Sequence, residues 1–272
     1  VNSKDVNTVV ETVERIAGSF GAIQLEDIAA PECFAIEEKL QALLDIPVFH
    51  DDQHGTATVL LATLINALKQ IGKEAKQCSA LILGGGAAGV AIAKTLLSFG
   101  IGDIVVHDSY GPLYRGRTEK MNMYKTQLAQ VTNKNNEKCG LAESFKGKDI
   151  FIGVARPKIV TSEMIASMAK NAIVFPLSNP IGEITVEEAY QAGAAIAVDG
   201  RTVNNALAYP GLFRGALDAR ATDITFEMQL AAAQQIAKLA PEGALLPNIL
   251  DREVHAKVSR TVAEAWRNRK IR

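Results

Sequence analysis

The chain has 272 residues, 48% of them hydrophobic and 22% charged, enough to bury one large core or two smaller ones. Its 29 Lys and Arg against 30 Asp and Glu leave a formal charge of -1, which excludes the basic footprint of a nucleic-acid binder and an electrostatic membrane anchor. No uninterrupted apolar run is long enough to span a bilayer and the amphipathic start is not a secretion signal, so a cytoplasmic protein with small-molecule partners is expected.

Val6, Val9, Val10, Val13 and Ile16 recur at helical spacing until Gly18 and Gly21 break the pattern. AIQL then predicts a short buried strand, and Glu26 and Asp27 follow it directly. A second helix over about 34–44 leads to IPVF, another short apolar strand, which ends in Asp51 and Asp52. The two acidic doublets therefore occupy equivalent places. Ligands of open parallel sheets gather at the carboxyl ends of strands, so two such doublets can converge on one site.

A helical stretch over 56–71 introduces SALILGGGAAGVAIAKTLLSFG, which reads as strand, glycine turn and helix, and DIVVHD is the next strand. Further strands are expected at 149–153, 172–177 and 194–198, with helical patterns between most of them. This alternation predicts an α/β fold with a doubly wound parallel sheet. From Pro210 onward the chain reads almost wholly as helix and closes on an amphipathic stretch at 254–266. Cys33, Cys78 and Cys139 are odd in number and widely spaced, which fits free thiols rather than a disulfide framework or a zinc site.

Gly84, Gly86 and Gly89 fit G-x-G-x-x-G, in which the glycines serve a tight turn, backbone approach to a pyrophosphate and close helix-to-strand packing. The helix starting near Ala87 and Ala88 offers free N–H groups to the phosphates. Asp108 follows Gly89 by 19 residues at the end of the next strand, where a carboxylate binds a ribose hydroxyl. That favours NAD. The neighbouring SYGPLYRGR nevertheless carries Ser109, Arg115 and Arg117, and an arginine there accommodates the 2′-phosphate of NADP; solvent exposure is the expected state of both arginines.

An isolated Glu-Asp pair is usually a solvated surface, and it is the second doublet that makes a ligand role worth weighing. Hard oxygen ligands suit Mg²⁺ or Mn²⁺, with water and substrate oxygens completing the shell. His50 and His54 flank the second doublet without a cysteine or histidine cluster elsewhere. They are expected to support the site rather than to bind zinc, with 51–55 forming a strand-to-helix turn.

LEDIAAPECFAIE, PVFHDDQHGTA, LGGGAAG, FPLSNP, VNNALAYPG and LFRGALDA together resemble the malic enzymes, above all their shorter bacterial members, in family order from about Gly21 to Ala219. The resemblance implies that Glu26, Asp27 and Asp52 hold the divalent metal and that Asp51 supports the site or pairs with a catalytic lysine. It implies that Asn179 and Asn204 contact the nicotinamide cofactor and that Asn179 and Asn205 contact substrate. Read without it, Asn179-Pro180 is a plain turn. The implied activity is oxidative decarboxylation of malate to pyruvate and CO₂ with NAD or NADP and Mg²⁺ or Mn²⁺, in a homo-oligomer, dimer or tetramer. The implied architecture is a Rossmann-like domain at 53–203 inserted into a second α/β domain made of 1–52 and 204–272.

The sequence departs from the family at its reacting groups. The family's general base is a lysine and its general acid a tyrosine, both in segments upstream of the LEDI motif that this chain lacks. Lys4 has different surroundings, and none of Tyr110, Tyr114, Tyr124, Tyr190 or Tyr209 lies in a matching motif. A carboxy-terminal fragment of low activity alone is therefore expected. Gln24 and Ile181-Gly182 also vary within the motifs, with no consequence assigned. Two alternatives stay open: a malolactic enzyme, which retains NAD and releases lactate, and a non-catalytic nucleotide-binding module, against which the carboxylate cluster argues.

Overall fold

The computed structural model describes residues 1–269 and divides into two compact units, one of Val1–Asn66 with Asn205–Arg272 and one of Ala67–Asn204. Residues 270–272, the end of the expected 204–272 segment, lie outside the described residues. The first unit begins with α1 (Val6–Ala17), capped by the Asp5 side chain, then β1 (Ile23–Leu25), α2 (Glu32–Leu43) and β2 (Val48–His50). β1 and β2 pair in parallel with Leu25 opposite His50. Val9, Val10 and Val13 of α1 pack with Ile36 and Leu40 of α2 over Leu25 and Val48, so the helical stripe of the sequence becomes this small core.

Residues Asp51–Gly55 form one π-helical turn, where the sequence predicts a plain strand-to-helix turn, and it runs straight into α3 (Thr56–Ile71). α3 is apolar on nearly every face, and Val59, Leu60, Leu61, Ala62 and Leu64 are all buried. Asn66 on it donates to the Ala237 and Leu245 carbonyls. The sequence places the first domain boundary at 52/53; the compact units divide at 66/67, inside this helix.

The second unit continues with β3 (Ser79–Leu83), α4 (Ala87–Phe99), β4 (Asp103–Asp108), β5 (Gly111–Pro112), α5 (Met123–Val131), α6 (Leu141–Ser144), β6 (Ile150–Gly153), α7 (Ser162–Ala166), β7 (Ile173–Pro176), α8 (Val186–Gln191) and β8 (Ile196–Ala197). Its strands lie in the order β5-β4-β3-β6-β7-β8, all parallel except β5 against β4. Leu81, Leu83, Val105, Phe151, Val174 and Ala197 face one layer that includes Phe145, Ile165 and Ala189 from the α6–α8 region. The alternate residues Ala80, Ile82, Ile104, Ile150, Ile152 and Ile173 are buried as well. Burial on both faces is why the strands read as continuous apolar runs rather than as alternation. β8 is shorter than the expected 194–198 because it lies at the sheet edge and pairs with β7 alone.

The chain then returns to the first unit as α9 (Tyr209–Asp218), α10 (Phe226–Leu239) and α11 (Arg252–Arg267). A Cβ on Gly211 or Gly215 would fall 2.5 Å from Val258 Cγ1 or the Ser259 carbonyl, so glycine lets α9 and α11 approach closely. Cys33, Cys78 and Cys139 are free, and burial pushes the Cys33 thiol up to about 12. Among the described residues no helix is long and apolar enough to cross a membrane.

Candidate active site

Parallel pairing of β1 with β2 sends both acidic doublets out of the same end of the two-stranded sheet. The Asp27 N–H donates to Asp52 Oδ2 at 2.8 Å, which ties the two doublets together. Asp27 itself holds φ at 57°, a left-handed conformation that aspartate tolerates better than most side chains. Glu26 is exposed and accepts from Gln24 Nε2 at 3.0 Å.

Asp51 is buried, 3% exposed. Asn205 Nδ2 donates to its Oδ2 at 2.6 Å, and its Oδ1 is buried without a hydrogen-bond partner. Burial, then the charges of Glu26 and Asp52, push its carboxyl up to about 6. Gly55 makes room for it, since a Cβ there would sit 2.0 Å from Asp51 Oδ1. His50 is fully buried with Nδ1 3.8 Å from Asp52 Oδ2, and burial holds its ring below the ordinary value.

The π-helical turn that carries Asp51 and Asp52 is held from behind by Glu37 of α2. This buried carboxylate accepts from the His50 N–H at 2.7 Å, from Gln53 Nε2 at 3.0 Å and lies 3.0 Å from His54 Nε2. Sequence reasoning missed Glu37, because a glutamate on an amphipathic helix reads as part of the solvated face. Its only signal is the apolar company of Phe34, Ile36 and Leu40, all buried around it.

A divalent cation suits the charge of this cluster: several carboxylates act on one another, among the described residues no lysine or arginine pairs with them, and one buried carboxylate oxygen has no donor. Among the described residues, no three His, Cys, Asp or Glu side chains stand ready-made as ligands. Glu26 and Asp52 each accept one hydrogen bond on a single carboxylate oxygen, which leaves the other oxygen of each free to meet a cation.

In the second unit the glycine turn lies between β3 and α4, where the strand order reverses between β3 and β6, the place at which open parallel sheets bind ligands. Gly84 has φ of 127°, and a Cβ on it would meet the Val154 carbonyl at 2.5 Å; on Gly89 a Cβ would lie 1.8 Å from the Gly84 carbonyl. Gly86 faces open space at the N-cap of α4, followed by the partly exposed Ala87 and Ala88. The helix N-terminus is therefore accessible to an anion.

Asp108 closes β4 as expected, but it is buried and fully engaged. Its Oδ1 accepts from Arg117 at 2.7 Å and from the Tyr110 N–H at 2.9 Å, and its Oδ2 accepts from Lys125 Nζ at 2.7 Å. The expected exposure of Arg117 is corrected here: its side chain is 3% exposed, drawn in by Asp108 and by the carbonyls of Gly111, Pro112 and Glu119. Arg115 is exposed. Lys125, which no motif signals, reaches back from α5 so that a Cβ on Gly85 would lie 3.3 Å from its Cε. Asn179 is exposed beyond β7, and Asn204 is half-buried at the end of this unit.

With this geometry in view, a family model described as malic enzyme, NAD binding domain, matches residues 53–267, and one described as malic enzyme, N-terminal domain, matches residues 2–41. The chain belongs to the malic enzyme family. It is 46% identical over 275 residues to the bifunctional malic/malolactic enzyme of Bacillus subtilis, covering 97% of this chain and 67% of that protein. It is 44% identical to the NAD-dependent malic enzyme of Geobacillus stearothermophilus, of which it spans 57%. Among solved structures, the NAD-dependent malic enzyme of Thermotoga maritima superposes with a TM-score of 0.93 at 38% identity, covering 97% of this chain and 72% of that one. The malic enzyme of Pyrococcus horikoshii gives 0.92 at 40% identity, covering 100% and 68%. The malic enzyme resemblance read from the motifs is thus shown, together with the Rossmann-type NAD(P)-binding fold. NADP-dependent malic enzymes stand among the relatives as well, such as that of Rhizobium meliloti at 41% identity over 250 residues.

Proposed function

We propose that this chain carries the cofactor and metal side of an enzyme that oxidatively decarboxylates malate to pyruvate and CO₂, using NAD or NADP and Mg²⁺ or Mn²⁺. The observation that carries the reading is the parallel pairing of β1 with β2, which brings Glu26, Asp27, Asp51 and Asp52 to one strand end. Glu26, Asp27 and Asp52 would hold the metal. When bound, the metal supplies Lewis acidity toward the substrate's hydroxyl and carboxylate oxygens, and the nicotinamide supplies hydride acceptance. Asn205, fixed by Asp51, offers a neutral amide to a substrate carboxylate, and Asn179 and Asn204 offer the same to the cofactor. Asp51 orients Asn205 and supports the ligand set from below.

The cofactor reading follows from charge. Asp108 stands between Arg117 and Lys125, so the cluster carries two positive charges against one negative, beside the glycine turn. That net charge favours a 2′-phosphate, whereas a solitary Asp108 would have repelled one. Lys125→Ala is expected to weaken NADP binding about tenfold and NAD binding hardly at all. Equal weakening of both, measured by calorimetry, would refute this role.

A malolactic reading is favoured by one specific observation, the bifunctional malic/malolactic name of the Bacillus subtilis relative. One experiment tests the whole proposal: NAD and NADP are titrated into the chain with and without malate and Mn²⁺, and products are identified after prolonged incubation. Metal-dependent malate binding with pyruvate supports malic activity, and lactate without net NADH supports the malolactic alternative. Cofactor binding with no response to metal or malate would leave a nucleotide-binding module.

A further inference from the structure

We propose that Glu183 is a positioning residue that fixes the floor under the nicotinamide half of the cofactor. The proposal rests on the dinucleotide reading of the glycine turn. Glu183 is fully buried, and among the described residues its three hydrogen bonds come from neutral donors. Desolvating a carboxylate without a cationic partner is costly, and an apolar side chain of similar size would fill the same space at lower cost. What the carboxylate does that an apolar group cannot is accept from two loops at once.

Its Oε1 accepts from the Ala155 N–H at 2.8 Å and from the Ser178 hydroxyl at 2.5 Å, while the Ser178 N–H makes a longer contact of 3.4 Å with Oε2. Ala155 lies two residues beyond the end of β6 and Ser178 two beyond the end of β7. One side chain therefore clamps the carboxyl-end loops of adjacent parallel strands. The sequence leaves room for it at Gly153, where a Cβ would fall 2.3 Å from the Glu183 carboxyl carbon. Its own backbone is anchored too, since the Glu183 carbonyl accepts from the Val160 N–H at 3.0 Å and the Gly182 carbonyl from the Lys158 N–H at 3.0 Å.

Strand order gives the clamp its function. The glycine turn follows β3, and Asp108, the ribose-side residue, ends β4 on one side of it. A dinucleotide whose pyrophosphate sits on the turn and whose adenosine lies toward β4 must lay its other half across the ends of β6 and β7. Those are the two loops that Glu183 ties together. The first of them touches the turn itself, because the Val154 N–H donates to the Leu83 carbonyl at 2.9 Å and its own carbonyl abuts Gly84. The second carries the exposed Asn179 directly after the clamped Ser178. Without the clamp the adenosine side keeps its own contacts and the nicotinamide side loses its fixed geometry.

The test compares two ligands on the same chain: NADH, whose nicotinamide fluorescence reports its surroundings, and ADP-ribose, which lacks the nicotinamide. Glu183→Met keeps the side-chain length but removes the oxygen that accepts from both loops. It is expected to weaken NADH about tenfold and return its emission toward that of free NADH, with ADP-ribose unchanged within about twofold. Should that variant not fold, Ser178→Ala removes one clamped donor from a half-buried position, and the same split between ligands is expected at about threefold. Equal weakening of both ligands, or no change in either, overturns the positioning role. Failure of the unaltered chain to bind ADP-ribose overturns the dinucleotide reading, and the proposal with it, and is distinguished by requiring no variant at all.

Discussion

Replacing Asp108 with alanine is expected to destabilise the dinucleotide-binding unit by about 3–5 kcal/mol, because the substitution leaves a buried guanidinium without its counter-charge. Arg117 keeps its bonds to the Gly111, Pro112 and Glu119 carbonyls, but its side chain has no route to water for the orphaned nitrogen. Lys125 is less affected, being 17% exposed and able to turn outward. Adding Arg117→Met to Asp108→Ala should therefore restore most of the loss, which separates an unpaired charge from a lost contact. The pH dependence has a definite sign. Burial alone would raise the Asp108 carboxyl, but hydrogen bonds from Lys125 and Arg117 outweigh it and hold the group below its ordinary value of 3.8. A carboxyl depressed on folding contributes stability that is fully present above its unfolded pKa and is lost as pH falls through the folded one. In urea unfolding, the gap between the parent and Asp108→Ala should stay level from about pH 5 to pH 8 and shrink below about pH 4. A gap under about 1 kcal/mol at neutral pH would show that Arg117 is adequately solvated without Asp108.

The order and kind of most elements were legible because each rests on a local pattern, whereas the π-helical turn and the two-residue β5 were not. The valines of α1 recur at one helical face, β3, β4, β6 and β7 are apolar runs of strand length, and Gly100 stops α4 with φ of 101°. The glycine turn was legible for a related reason: Gly84 and Gly89 are demanded by contacts within a few residues of themselves and with one adjacent strand. The equivalence of the two acidic doublets was also readable, since it follows from where two short strands end. That those strands pair directly was not, because pairing depends on how α2 folds back.

Residues whose roles depend on distant partners escaped the sequence. Glu37 meets its three donors 13 to 17 positions later, at the end of β2 and in the turn that follows it, so nothing on α2 itself distinguishes it from the neighbouring Glu38, which is exposed. Arg117 sits in a polar loop whose composition suggests solvent, and its burial comes from Asp108 nine residues earlier. Lys125 and Glu183 are similar cases. Each is a charged residue in a segment that reads as ordinary surface until the sheet brings the strand ends together. Buried charge at strand ends is thus the part of this fold that local pattern conceals, and it is also the part that shapes both candidate binding sites.

The carboxylate cluster yields a prediction in which the sign reverses with conditions. Glu26 and Asp52 both press on Asp51 electrostatically, so without a cation the cluster is a source of repulsion in the folded chain. Asp52→Asn removes one of these charges while an amide oxygen can still accept the Asp27 N–H that Asp52 now accepts. In metal-free buffer this variant is therefore expected to be more stable than the parent, by about 0.5–1 kcal/mol, as for relief of a partly exposed like-charge contact. In Mn²⁺ the order should invert. A ligand present at about a hundred times its Kd stabilises the state that binds it by about 2.7 kcal/mol, and the variant, lacking one of the three proposed ligands, should gain little of this. Thermal unfolding with chelator and with Mn²⁺, alongside Mn²⁺ titration followed by electron paramagnetic resonance, reads both halves. If Asp52→Asn retains the Mn²⁺ shift of the parent, Asp52 is not a ligand. If it is destabilised in chelator, the carboxylate serves the fold through its bond to Asp27 more than it burdens it through charge. Only the crossing of the two stability orders fits a cluster whose like charges are gathered for a cation to neutralise.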